Sequence, residues 1–98
     1  MKIDFSQVLL SFTGEPFQLE EGGADLTLKE ATIRACKTPI PGDEKLTFEE
    51  KIIVDNIGLA AFTDATEIEM DQAKIIKDRI SVILNAPAIA GAVRRAIG

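Results

Sequence analysis

Glu67-Ile68-Glu69-Met70-Asp71-Gln72-Ala73-Lys74-Ile75-Ile76-Lys77-Asp78-Arg79-Ile80 is the stretch on which the fold turns. Its first four residues alternate polar and apolar, which is a strand pattern. From Asp71, a good N-cap, the period changes: Ala73, Ile76, Ile80, Ile83 and Leu84 share one helical face. Lys74, Lys77, Asp78 and Ser81 fall toward water, and Ile75 and Val82 lie on a third side. Asn85-Ala86-Pro87 then breaks the pattern, Asn suiting a helix end and Pro the first turn of the next helix. Ala88 to Ile97 is a small-residue segment carrying Arg94 and Arg95. Strand, helix, hinge, helix is the order of a packing scaffold, with no reaction centre in it.

Upstream, two capping boxes predict two more helices. Thr27-Leu28-Lys29-Glu30 opens one that runs to about Lys37, with Leu28, Ala31, Ala35 and Cys36 as its apolar stripe. Thr38-Pro39-Ile40-Pro41-Gly42 stops it. Thr47-Phe48-Glu49-Glu50 opens the other, running to about Ala61. Phe48, Ile52, Ile57 and Ala60 or Ala61 approximate its one face, and Ile53 and Val54 widen it. Gly58 is a weak point in that helix unless it serves close packing.

The N-terminus predicts β-structure. Ile3 and Phe5 alternate with polar neighbours, Val8-Leu9-Leu10-Ser11-Phe12 is a second apolar run, and Thr13-Gly14-Glu15-Pro16 is a turn signal closing a hairpin onto Phe17. Glu20-Glu21-Gly22-Gly23-Ala24-Asp25 is a polar, glycine-rich loop. The expected class is therefore α+β: a small N-terminal β-hairpin, which strand 67–70 can join, packed against three to four helices. Ninety-eight residues make one domain, 1–98, with a thin core, and self-association is a natural way to add buried area.

Composition narrows the function. A hydrophobic fraction of 46% beside 28% charged residues means that nearly every aliphatic is packed or that some are covered by a partner. The net charge of −5 disfavours general coating of DNA or anionic membranes. The five bases Lys74, Lys77, Arg79, Arg94 and Arg95 nevertheless share the tail from Gln72 onward with one acid, Asp78. The plainer account of these bases is that cations near helix C-termini complement the dipole. Cys36 is the sole cysteine, so no intrachain disulfide forms, and its apolar neighbours mark a buried small hydrophobe in a reducing compartment. Met1-Lys2-Ile3-Asp4 lacks the order of a secretion signal, and no run approaches the ~18 apolar residues of a membrane span. A soluble, cytoplasmic protein with no membrane partner is expected.

The chemistry that the chain lacks is informative. It has no histidine, hence no imidazole base, Ser-His pair or imidazole ligand. One cysteine excludes a single-chain thiolate zinc site, and no phosphate-binding glycine motif is present. Glu67, Glu69 and Asp71, with Asp64 nearby, would share a strand face that could meet a hard cation, but a solvated strand face plus a helix cap explains them better. No enzyme, no metal and no cofactor are expected. Two interaction surfaces remain as candidates: the terminal helix through Ile89, Gly91, Ala92, Val93, Arg94 and Arg95, and a basic patch of Lys74, Lys77 and Arg79. The terminal segment is too apolar for a recognition helix, and the chain offers no Tyr or Trp for base stacking, so nucleic acid is a disfavoured partner.

The order of parts resembles a family of small uncharacterised proteins encoded in bacteriophage and prophage genomes. The matching positions are Phe12-Thr13-Gly14-Glu15-Pro16-Phe17, Leu26-Thr27-Leu28-Lys29, Phe48-Glu49-Glu50-Lys51, and Glu67-Ile68-Glu69-Met70 with Ile75-Ile76-Lys77. The resemblance implies a phage-type accessory protein inside a bacterial host cell and supplies no catalytic residue. The expected function is a non-enzymatic interaction or assembly protein that self-associates through apolar surface, as a homo-oligomer or with another phage or host protein. The alternative is a small regulator that meets nucleic acid or its machinery through the basic C-terminal third.

Overall fold

The computed structural model describes residues 1–18 and 22–97. Four α-helices make up its regular structure among the described residues: α1 Leu28–Lys37, α2 Phe48–Phe62, α3 Met70–Ile83 and α4 Pro87–Ile97. A single 3-10 turn, Asp43–Lys45, interrupts the α1–α2 connection. Glu20 and Glu21 of the expected polar loop lie outside the described residues.

The expected hairpin and the α+β class are overturned. No β-strand forms among the described residues; the N-terminal arm makes only isolated antiparallel bridges, Lys2 with Glu67, Val8 with Thr27, Leu10 with Pro16 and Gln18 with Asp25. Asp4 breaks the first run, because its carboxylate accepts from the Ser6 N–H at 2.9 Å and folds residues 4–7 into a turn. Pro16 ends the second pairing, since it has no N–H to extend a ladder. Beyond it, the Leu26 N–H donates to the Phe17 carbonyl and the Leu26 carbonyl accepts from the Leu9 N–H, so each pairing stops after one residue. The expected third strand does meet the arm, but only as one bridge and not as a strand: the Ile3 N–H donates to the Thr66 carbonyl and the Ile68 N–H to the Met1 carbonyl.

The arm's carbonyls have another use. The first amides of a helix lack intrahelical partners. Here the Leu28 N–H donates to Gln7 and the Lys29 N–H to Phe5, while the Glu30 N–H donates to Thr27 Oγ1 at 3.1 Å. The arm thus caps α1 and lays Ile3, Phe5 and Leu9 into the core.

The helix starts fall where their boxes place them, though the α1 box is half formed: Thr27 Oγ1 accepts from the Glu30 N–H while the Glu30 carboxylate accepts from Arg34 Nε at 3.0 Å. At α2 both reciprocal bonds form, Thr47 Oγ1 with the Glu50 N–H and Glu50 with the Thr47 N–H. The cap of α3 lies two residues before the expected one, because the Gln72 side chain accepts from the Glu69 N–H and makes Glu69 the cap. Asp71 lies inside the first turn. One core results, with Leu28, Ala31 and Ala35 of α1, Ile57 and Ala61 of α2, Ala73, Ile76 and Ile80 of α3, and Ile89, Ala92, Val93 and Ile97 of α4. α2 lies mainly along α1 and touches α3 far less.

Candidate interaction surface

α2 is apolar on two opposite sides. At about 100° per residue, Ile57 and Ala61 point one way and Phe48, Ile52, Leu59 and Phe62 point the other. Ile57 and Ala61 are buried in the core, on a helix that packs mainly on α1. Phe48 is 74% exposed, Phe62 66% and Leu59 57%, with Ile52 at 41%. The single face expected for this helix, joining Phe48 and Ile52 to Ile57, is therefore split in two. Nine residues separate Phe48 from Ile57, which is two and a half turns. So many large apolar side chains left in water on one side of a helix mark a contact surface, so the outer face of α2 is the part of the fold that its own chain leaves incomplete. Ile53, half-exposed, stands about 100° from Ile52 and so lies off this stripe, beside the connection before α2.

The connection before α2 is fixed by a latch that the sequence did not announce. Arg79 of α3 is buried and uses its whole guanidinium: Nε donates to the Ala35 carbonyl at 2.8 Å, Nη2 to the Thr38 carbonyl at 3.1 Å, and Nη1 and Nη2 to the two Asp43 oxygens at 2.7 and 3.1 Å. Two of these partners are the last carbonyls of α1, which a cation suits. The hydrogen bonds from Arg79 hold the Asp43 carboxyl below the usual carboxylate range. Arg79 was expected in a basic surface patch with Lys74 and Lys77. Its position, three residues after Ile76 and four before Ile83, already set it on the apolar face of α3 and was the available signal.

A groove of about 430 Å³ lies beside this latch, lined by Cys36, Leu46, Lys51, Val54 and Asp55 among others. Burial pushes the Cys36 thiol up from its ordinary value, so this cysteine is a poor nucleophile at neutral pH. Gly58 lets α2 approach it, for a Cβ there would stand 3.2 Å from Cys36 Cβ.

The terminal helix turns its apolar side inward and caps the core. Ile89, Ala92 and Val93 are buried in the core. The Arg95 guanidinium folds back over Gly91 and donates to the Leu10 carbonyl at 2.9 Å, so it ties α4 to the arm. Arg94 is exposed. The acids Glu67, Glu69 and Asp71 share no strand face, since α3 starts at Met70. Among the described residues no group of three or more His, Cys, Asp or Glu gathers to hold a metal ion. No helix of the described residues is long and apolar enough to cross a membrane.

Compared with family models, with curated proteins and with solved structures, the chain matches none. The reading of this surface therefore rests on the geometry of its own residues.

Proposed function

We propose that this chain is a non-enzymatic assembly protein of bacteriophage or prophage type that associates with itself through the outer face of α2, acting in the cytoplasm of a bacterial host. The observation that carries the reading is the exposure of Phe48, Ile52, Leu59 and Phe62 on the side of α2 opposite its packed side. Such a stripe costs solubility in a lone monomer and gains free energy when covered. The regulator alternative draws on Lys74, Lys77 and Arg79, of which Arg79 is buried and engaged by Asp43, and no placement favours it over the apolar face.

Sedimentation equilibrium tests the reading. The native chain is expected to associate reversibly with concentration, and Phe48→Ser with Leu59→Ser to sediment as a folded monomer with unchanged far-ultraviolet dichroism. A native chain that stays monomeric at its highest soluble concentration refutes it.

A further inference from the structure

The exposed side of α2 repeats at a coiled-coil interval. Phe48, Ile52, Asp55, Leu59 and Phe62 follow one another at spacings of four, three, four and three residues, which keeps them on one seam. Asp55, at the centre, is exposed like the rest. A carboxylate in the middle of an apolar seam needs a cation from whatever covers it, or the covering leaves a desolvated charge.

A second copy supplies that cation in one orientation only. If two copies of α2 pair parallel, Asp55 meets the partner's Asp55, and like charges oppose contact. If they pair antiparallel, the seam layers alternate: Phe48 meets the partner's Leu59 and Ile52 meets the partner's Asp55. In that register Lys51 is offset from the partner's Asp55 by one residue, about 1.5 Å along the axis, on the same flank of the seam. The two-fold axis repeats the pair. Neither Lys51 nor Asp55 is in an ion pair within its own chain among the described residues. Area agrees with charge. Aromatic side chains offer roughly 150–250 Å² each, so the stripe presents on the order of 500 Å² per copy and a pair covers about 1,000 Å², the size at which specific interfaces begin.

Resting on the self-association reading above, we propose that the occupant of the α2 face is a second copy of this chain, docked antiparallel, with Phe48 on the partner's Leu59 and Lys51 bonded to the partner's Asp55.

The test uses charge reversal and one distance. Lys51→Asp and Asp55→Lys are each expected to raise the dimer dissociation constant at low salt by about tenfold or more, and the double reversal to bring it back close to native. Both sites are exposed in the monomer, so circular dichroism of the variants serves as the folding control. A spin label at Thr63→Cys, in a Cys36→Ala background, is expected to report about 30 Å between copies, against about 10 Å for parallel helices. A dimer that Leu59→Asn dissociates, yet whose labels lie near the short distance or whose affinity ignores charge reversal, overturns the antiparallel pairing and leaves self-association standing. A chain that never dimerises overturns both.

Discussion

Phe48 and Ile57 stand on opposite sides of the same helix, one 74% and the other 1% exposed. Two apolar residues of similar size therefore have different energetic roles. Ile57 is enclosed in the core on the side of α2 that packs on α1, and Phe48 is surrounded by water.

Truncating them should separate folding from association. Ile57→Ala is expected to cost about 2–5 kcal/mol through the cavity it leaves, seen as a lower urea midpoint at unchanged slope. Phe48→Ser, measured on dilute monomer, should stay within about 0.5 kcal/mol of native. The order should reverse for self-association, where Phe48→Ser weakens the dimer and remaining folded Ile57→Ala does not.

The Arg79 latch predicts a large loss that a conservative change does not repair. Arg79→Ala leaves the Ala35 and Thr38 carbonyls and Asp43 without their donor, and should cost about 3 kcal/mol. Arg79→Lys should recover little, since one ammonium cannot span both Asp43 oxygens and two carbonyls as the planar fork does. Urea unfolding of the three proteins at neutral pH checks both statements.

Asp43 also sets part of the acid response. Its carboxyl is held below the usual range chiefly by the hydrogen bonds from Arg79, so the unfolded chain takes up this proton at higher pH than the folded one. The stabilisation is thus complete above the ordinary carboxylate value, about pH 4, and is lost as the pH falls through the folded value. The native urea midpoint should drop on acidification across that window, and the drop should be shallower in Asp43→Asn.

Thr32 is fully buried in α1, and its Oγ1 has no hydrogen-bond partner among the described residues. Thr32→Val keeps the shape and removes the unpaired hydroxyl. It should stabilise the chain by about 1 kcal/mol, read as a raised melting temperature.

The helices were legible because their signals are local. Thr27, Thr47 and the Thr38–Gly42 segment act on neighbours within one turn, and they set the starts of α1 and α2 and the end of α1 to the residue. Alternation at Ile3 and Phe5 correctly marked core side chains, yet it did not mark strands. Burial of alternate residues needs only an extended arm, whereas a strand needs a neighbour over several residues, and Asp4 and Pro16 deny it one. The basic patch failed for a related reason: the charge of Arg79 is visible in sequence, but the carbonyls and carboxylate awaiting it lie 36 to 44 residues away.

By itself, then, the amino-acid order determined where α1 and α2 begin and where α1 stops, and it scattered apolar and polar residues around α2 with no polar side, since both are properties of contiguous residues. Which side of α2 lies on α1, and hence which apolar residues remain in water, was decided only when the chain closed on itself. A helix without a polar side carries no internal instruction about which way to face; its neighbours in space supply it.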